Sequence, residues 1–303
     1  MNEMPRTILG VAPTPPSFDV PAGACDCHTH VFGPADKFPY SEKRGYTPGD
    51  ASVEDLLALQ AALHLNRVVI VHPSPYGADN SVTVDALRRL GKRGRGVAVI
   101  DNETSDADLR QMHDAGVRGV RVNLESHGNN DPAVAARLLQ AAAARVAPLG
   151  WHVQTYTQLA TIAALRDTIM GLPTPFVIDH FGLAQAAKGV SQPGFDAMLA
   201  LVRSGKAYVK LSGSYRVSQV PADADAAPLA RALIAANPDR MVWGTDWPHP
   251  GGGKPGTPRP RDTIEPFQPI DDGRALNRLA EWAGDAATLR KILVDNPASL
   301  YDF

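Results

Sequence analysis

Two histidines separated by a single residue, His28 and His30, are the first residues whose types and spacing suggest chemistry. Two further candidates, His180 and Asp246, follow at the ends of later apolar runs. Imidazole can donate a hydrogen bond, accept a proton or bind a metal, and a carboxylate can act as a general base or a metal ligand. Taken singly, each is more often a hydrogen-bonded structural residue or a helix cap. Their significance therefore depends on whether the fold brings all four together.

Short β-branched runs alternate with longer helical patterns along the chain. We predict strands at residues 24–28, 67–72, 96–100, 117–124, 151–156, 175–180, 207–211 and 240–244. Helical patterns separate them, including those at residues 53–64, 80–90 and 106–115. Ser105 is the expected N-cap of the third of these helices, and Asp131-Pro132 should open a long alanine-rich helix.

This alternation predicts a single-domain, TIM-like (β/α)8 barrel, since closure of eight parallel strands leaves no unpaired edge. We assign residues 23–303 to the barrel and the proline-rich residues 1–22 to an extended N-terminal arm. A doubly wound open sheet is the alternative, disfavoured because no G-x-G-x-x-G follows the first strand. Residues 32–51 and 248–269 show little regular pattern, and the second stretch should lie at the barrel mouth as a functional loop.

In a parallel barrel, active residues lie at the carboxyl ends of the strands. The first predicted strand runs into His28 and His30, which strand alternation places on the same face. The sixth ends at Asp179-His180, and the eighth leads into Asp246. We therefore predict that His28, His30, His180 and Asp246 converge on one mouth as the catalytic set.

Two arginines should also face this mouth, Arg121 on the fourth strand and Arg216 after the seventh. An inward guanidinium needs an anionic partner or several acceptors, and its planar fork suits a carboxylate. We expect both arginines to bind a substrate carboxylate or sulfonate. The rest of the predicted substrate-binding set comprises Tyr46, Ser74, Tyr156 and His249.

Four motifs carry a family resemblance: residues 26–30 (DCHTH), 178–182 (IDHFG), 243–248 (WGTDWP) and 295–301 (DNPASLY). Together they resemble the amidohydrolase superfamily, in particular its amidohydrolase-2 branch, over nearly the whole chain from about Gly23. Within that branch, residues 27–34, 38–40, 46–48 and 116–121 are similar to lactonases that act on 2-pyrone-4,6-dicarboxylate. This resemblance implies hydrolysis of a lactone ring, or its reverse, in aromatic or sugar-acid catabolism.

Many members of the superfamily hold metals with ligands on strands one, four, five, six and eight. Here the fourth strand offers Arg121 and Asn123, and a guanidinium cannot ligate a metal. The fifth strand ends in 154–156 (QTY), and its histidine, His152, comes at the strand start and so should lie at the barrel bottom. We expect no required cofactor. A single zinc or manganese ion, held by His28, His30, His180 and Asp246, remains the alternative.

Three hypotheses of function follow. The first is a hydrolase that opens a small carboxylated lactone by direct water attack, with Asp246 as general base and the histidines polarising the carbonyl group. The second is a zinc-dependent hydrolase or decarboxylase of the same branch. The third is a non-catalytic barrel that binds a small acid.

The composition of the chain limits the kinds of partner that we expect and the compartment in which the protein works. The chain of 303 residues carries 30 basic and 32 acidic residues, a formal net charge of −2, which favours neither nucleic acid nor an anionic membrane. No apolar run approaches the roughly 20 residues that span a bilayer, and the N-terminus lacks the apolar segment of a signal peptide. The two cysteines, Cys25 and Cys27, are interpreted as reduced thiols of a cytoplasmic protein. The sequence leaves open whether the protein forms a homo-oligomer.

Overall fold

The computed structural model describes residues 7–125, 131–251 and 260–303. One parallel sheet of eight strands runs through them in sequence order. The strands are β1 (Cys25–Thr29), β2 (Arg67–Val71), β3 (Gly94–Ala98), β4 (Val117–Asn123), β5 (His152–Tyr156), β6 (Phe176–Ile178), β7 (Ala207–Ser212) and β8 (Met241–Gly244). Nearly all of their residues are buried, as expected for a parallel sheet covered by helices.

The sheet closes between its first and last strands. The backbone N–H of His30 donates to the Trp247 carbonyl at 2.8 Å, and that of Asp246 donates to the His28 carbonyl at 2.8 Å. Gly244 permits this approach, because a Cβ there would lie 2.6 Å from the His28 nitrogen. The prediction of a TIM-like (β/α)8 barrel is confirmed, and the open-sheet alternative is wrong.

Helices surround the barrel. Among the described residues they are α1 (Val53–Ala62), α2 (Ser81–Leu90), α3 (Asp106–Ala115), α4 (Pro132–Val146), α5 (Leu159–Ala164), α6 (Arg166–Gly171), α7 (Phe195–Arg203), α8 (Ala227–Ala236), α9 (Asp272–Ala283), α10 (Ala286–Arg290) and α11 (Asn296–Tyr301). Ser105 caps α3 by accepting from the Asp108 N–H, and Asp131 caps α4 with Pro132 at its first position, both as predicted. None of these helices is long and apolar enough to cross a bilayer.

β3 and β6 have ends that differ from expectation by two residues, whereas the ends of the other strands agree to within one residue. β3 begins at Gly94, two residues earlier than predicted, because its backbone pairs with β2 from Val68↔Gly94 onward. β6 ends at Ile178, before Asp179 and His180, where the chain turns into a short 3-10 segment with φ of 47° at His180. The turn brings both side chains next to His28, instead of placing them on opposite faces of the sheet.

Residues 32–51 and 248–269, the two stretches without regular pattern, contact each other beside the mouth. The two-residue strands Thr47–Pro48 and Ile264–Glu265 pair in parallel, and the rings of Phe32 and Phe267 pack with centroids 5.7 Å apart. Backbone pairing thus holds residues 264–265 of the predicted mouth loop against residues 47–48. Residues 252–259 of this loop lie outside the described chain.

The N-terminal segment lies against helix α9. Thr14 donates from its N–H and hydroxyl to Asp271, and Ser17 donates to Asn277. Residues 1–6 of the predicted arm lie outside the described chain. The division between arm and barrel at residue 22 stays a prediction.

Candidate active site

The barrel mouth brings together three histidines and one aspartate from the ends of three strands. The Nε2 atoms of His28, His30 and His180 lie 3.6, 3.6 and 3.8 Å from Asp246 Oδ1. All four side chains are buried. The structure therefore assembles the set that the sequence singled out at the ends of β1, β6 and β8.

The two carboxylate oxygens of Asp246 have different surroundings. Oδ2 accepts from the Tyr215 hydroxyl and from Arg216 Nε, each at 2.6 Å. Oδ1 faces the histidines and has no hydrogen-bond partner among the described residues. Gly213 makes room for this arrangement, since a Cβ there would lie 2.9 Å from His180 Nδ1. One oxygen is thus held by the protein and the other points toward the cavity.

Asp246 is an ionised carboxylate. Burial would raise its pKa, but the charge of Arg216, helped by the nearby histidines, outweighs burial and holds the pKa well below its usual range. Asp246 also has a positive φ of 70°, a conformation that non-glycine residues adopt rarely and that clusters at functional sites.

The histidines are neutral, and the hydrogen bond of one fixes its tautomer. His30 Nδ1 lies 2.7 Å from the Val71 carbonyl, which can only accept, so the hydrogen sits on Nδ1 and Nε2 carries a lone pair. His180 Nδ1 lies 3.0 Å from the Ser212 hydroxyl, which can donate or accept. Burial lowers the pKa of His30 and lowers that of His180 to about 4. Burial and the Lys210 charge lower that of His28.

A polar cluster that we did not identify from the sequence lies beneath the histidines. Lys210 on β7 and Gln154 on β5 are fully buried, as is Asp179 after β6. Lys210 Nζ lies 2.7 Å from Gln154 Oε1 and 3.5 Å from Asp179 Oδ1. Burial would raise the pKa of Asp179, but Lys210 and its neighbours hold it well below its usual range. Lys210 could have been identified from the sequence, because it is a charged residue between Val209 and Leu211 within an apolar strand.

The two arginines lie at the mouth but already have partners in the protein. Arg121 Nε donates to Asp179 Oδ2 at 3.1 Å, and its guanidinium lies 5.2 Å from the Tyr156 ring centre. Arg216 donates to Asp246 and, through Nη2, to the Pro250 carbonyl at 3.1 Å. Both still line the cavity. Internal carboxylates therefore already pair with both arginines, and the binding of a substrate anion by Arg121 and Arg216 stays a prediction.

Above the cluster lies a cavity of about 1240 Å³. Predicted site residues on its wall are His30, Tyr46, Ser74, Arg121, Tyr156, His180, Arg216 and Asp246. His28 lies just below them and is fully buried. Tyr46 is hydrogen-bonded to Ser74, and burial raises its pKa, so its hydroxyl stays protonated.

His249 is placed differently from expectation. Its Nε2 lies 3.1 Å from Asp272 Oδ1 and its ring packs against Tyr215, 5.6 Å between centroids. It is buried and does not line the cavity. The ring of His249 pairs with Asp272 at the start of α9, so it does not contact the cavity in which substrate binding was predicted.

The same four residues would fit one metal ion. His28 Nε2 and Asp246 Oδ1 are buried without hydrogen-bond partners among the described residues, and His28, His30 and Asp246 offer ligand atoms within 4.8 Å of one another. In a tetrahedral zinc site with bonds of about 2.0–2.1 Å, ligand atoms lie about 3.4 Å apart, close to the observed spacing. The bond from His30 Nδ1 to a carbonyl also matches the usual support of a metal-bound imidazole.

A family profile and individual relatives identify the family of this chain. The amidohydrolase profile (Amidohydro_2) matches residues 25–303, and the chain belongs to this family. It is 41% identical to a 4-sulfomuconolactone hydrolase of Rhizobium radiobacter, over 95% of this chain and 92% of that one. It is 39% identical to a 2-pyrone-4,6-dicarboxylate hydrolase of Comamonas testosteroni, over 95% and 93%.

A solved structure from Pseudomonas putida, a candidate 2-pyrone-4,6-dicarboxylic acid hydrolase, superposes with a TM-score of 0.77. It is 32% identical in sequence, and the match covers 93% of this chain and 98% of that one. The resemblance inferred from the motifs is confirmed at the level of the family, and its relatives include lactone hydrolases.

Proposed function

We propose that this protein is a hydrolase that opens the ring of an anionic lactone by direct attack of water on the ester carbonyl. The observation that carries the proposal concerns Asp246 Oδ1, which has no hydrogen-bond partner in the described part of the chain and lies 3.6 Å from both His28 Nε2 and His30 Nε2. Relatives at 41% and 39% identity are hydrolases of a sulfonated and a carboxylated lactone, which supports this reaction class.

The attacking water would lie between Asp246 Oδ1 and His30 Nε2. Both atoms accept hydrogen bonds, and their separation of 3.6 Å lets one water donate to each. As the water oxygen bonds to the carbonyl carbon, Asp246 takes one proton and acts as the general base. His30 thereby holds the water, whereas the sequence alone suggested that all three histidines donate to the carbonyl.

The carbonyl oxygen would face His28 and His180. A hydrogen on His28 Nε2, and one on His180 Nε2, would stabilise the negative charge that develops on this oxygen in the tetrahedral intermediate. When the ring C–O bond breaks, the departing oxygen takes up the proton held by Asp246. The products are one hydroxyl group and one carboxylic acid, which ionises to a carboxylate and releases one proton, and the reverse sequence forms the lactone.

The anionic end of the substrate would lie against Arg121. Tyr46, Ser74 and Tyr156 line the same cavity and offer hydroxyl donors to a carboxylate or sulfonate. Arg121 keeps its Nε on Asp179, so its outer nitrogens would meet the substrate. We propose a small carboxylated or sulfonated lactone from aromatic catabolism, processed in the cytoplasm, where the free thiols Cys25 and Cys27 would stay reduced.

A second candidate is a metal-dependent enzyme of the same family. The unpartnered His28 Nε2 and Asp246 Oδ1 favour it, since with His30 and His180 they would hold one zinc or manganese ion. A bound ion would polarise the carbonyl and lower the pKa of a bound water. The remaining hypothesis, a non-catalytic acid-binding barrel, loses support because the relatives named above are enzymes.

Turnover of a lactone panel tests the proposal. Purified protein is mixed with ultraviolet-absorbing lactones carrying a carboxylate, a sulfonate or neither, and ring loss is followed with proton release. We expect one proton per ring opened, with anionic lactones much preferred over their methyl esters. Failure to open any lactone, or release of carbon dioxide from an aromatic acid instead, would contradict the proposal.

A further inference from the structure

The ammonium group of Lys210 lies directly beneath His28. Lys210 Nζ is 3.3 Å from His28 Nδ1, the ring nitrogen that faces away from the cavity. The lysine is fully buried on β7, so it does not reach the cavity itself. Any effect that it has on the reaction must pass through the residues that it contacts.

The three ammonium hydrogens of Lys210 have three neighbouring acceptors. Gln154 Oε1 lies at 2.7 Å, His28 Nδ1 at 3.3 Å and Asp179 Oδ1 at 3.5 Å. The amide of Gln154 is oriented by its other end, because Gln154 Nε2 donates to Asp179 Oδ2 at 3.0 Å. Lysine donates only, so Gln154 Oε1 and His28 Nδ1 can accept two of these hydrogens, and the third faces the Asp179 carboxylate in an ion pair.

The competing tautomer of His28, with its hydrogen on Nδ1, places two hydrogen-bond donors against each other. His28 Nδ1 also lies 3.4 Å from Asp179 Oδ1, to which it could donate. In that case its N–H would meet the ammonium group of Lys210 at 3.3 Å, and one lysine hydrogen would lose its acceptor. Asp179 Oδ2 already accepts from Arg121 and Gln154, whereas Oδ1 has no hydrogen bond among the described residues and is compensated by the charge of Lys210 at 3.5 Å. The contact with the Lys210 ammonium group at 3.3 Å, which can only donate, therefore favours acceptance by His28 Nδ1.

We propose that Lys210 is a positioning residue that keeps the hydrogen of neutral His28 on Nε2. His28 then presents an N–H to the cavity, while His30, bonded to the Val71 carbonyl, presents a lone pair. One strand thus supplies a donor for the carbonyl oxygen and an acceptor for the water. A protonated Nε2 also has no lone pair for a metal, so Lys210 would favour metal-free chemistry.

The consequence for catalysis rests on the proposed function, but the tautomer can be measured without substrate. Nitrogen-15 spectra of histidine-labelled protein distinguish the Nε2–H from the Nδ1–H form, and His28→Asn identifies the signals of residue 28. We expect the Nε2–H form in the wild-type protein. An Nδ1–H form, or a charged imidazolium at pH 7.5, would overturn the proposal whether or not any variant folds.

Lys210→Met removes the donor, and Lys206→Met is a matched control. Lys206 precedes the same strand and donates to the carbonyls of Leu172 and Thr174, away from the mouth. We expect Lys210→Met to move the hydrogen of His28 to Nδ1, facing Asp179, and to increase zinc binding, while Lys206→Met changes neither. An unchanged Nε2–H form in folded Lys210→Met would show that the lysine does not set the tautomer.

Kinetics then separate this proposal from the proposed function. On a lactone identified by the panel, Lys210→Met should lower kcat by roughly 10²-fold, the size reported for loss of one oxyanion donor, with KM changed little. Unchanged kcat together with a shifted tautomer would exclude a catalytic consequence. If the wild-type tautomer is as proposed but no lactone is opened, the proposed function fails while the assignment of Lys210 stands.

Discussion

Tyr215 donates its hydroxyl hydrogen to Asp246 Oδ2 at 2.6 Å, on the side of the carboxylate that faces away from the histidines. Arg216, the next residue, donates to the same oxygen. Two consecutive side chains after β7 therefore hold one oxygen of the proposed base and leave the other directed at His28, His30 and His180. The protein therefore fixes the orientation of the Asp246 carboxylate before substrate binds.

Tyr215→Phe should slow the reaction without weakening substrate binding. The substitution removes one hydrogen bond to a charged group, worth about 1.5–3 kcal/mol, so kcat should fall roughly 10- to 100-fold while KM stays close to the wild-type value. Tyr208→Phe is the matched control, because its hydroxyl is bonded to Arg240 at the opposite end of β7. An equal loss in both variants would indicate a general effect on folding.

Arg121→Met should discriminate between anionic and neutral substrates. Loss of a buried ion pair with the substrate typically costs about 2–5 kcal/mol, so kcat/KM for a carboxylated lactone should fall about 30-fold or more, and that for its methyl ester much less. Arg118→Met is the control, since Arg118 lies on the same strand and bonds outward to the His113 carbonyl. Equal losses on both substrates would make Arg121 structural, through its bond to Asp179.

Activity should survive exhaustive chelation. β4 and β5 present Arg121 and Gln154 toward the site, and the geometry places an ammonium group behind His28. The measurement compares kcat before and after treatment with a strong chelator, with metal content determined in the same samples. Loss of activity with restoration by zinc or manganese would favour the metal-dependent candidate.

Stability should decrease in acid partly because of His152. This imidazole is buried beneath the barrel against the Tyr301 ring, and burial lowers its pKa from 6.5 to about 3. Between these pH values the unfolded chain binds a proton that the folded protein does not, so falling pH favours unfolding by about 1.4 kcal/mol per pH unit.

Denaturant unfolding from pH 7 to pH 4 tests this assignment. His152→Met should reduce the slope of unfolding free energy against pH by about that amount, because the variant has no group to titrate. The exposed Met170→Leu variant, which changes no titratable group, should leave the slope unchanged. The same slope in wild type and His152→Met would mean that His152 is already protonated in the folded protein.

Much of the fold and the central set of the site could be predicted from sequence, for identifiable physical reasons. Eight short apolar runs separated by helical patterns allow few architectures, and the carboxyl ends of parallel strands share one face. His28, His30, His180 and Asp246 therefore could be grouped from their positions alone. Ser105 and Asp131 could be predicted as helix caps because the cap is decided by neighbouring residues.

The partners of these residues could not be predicted in the same way. Whether Arg216 binds substrate or Asp246 depends on a short segment after β7 whose course no periodicity specifies. Asp179 and Tyr215 were missed because their roles depend on the turns that follow β6 and β7. His249 pairs with Asp272, which lies 23 residues later in the sequence. Local sequence pattern does not reveal a contact of this kind.

The most direct test of the account is kcat of Asp246→Asn on a lactone that the wild-type enzyme opens. Asparagine keeps the shape of the side chain but cannot take a proton from water, so kcat should fall roughly 10²- to 10⁴-fold, while the protein folds and still binds the anionic substrate. The exposed Asp196→Asn variant is the control and should retain wild-type kcat. Near-normal kcat in folded Asp246→Asn would contradict the assignment of Asp246 as the base and the mechanism built on it.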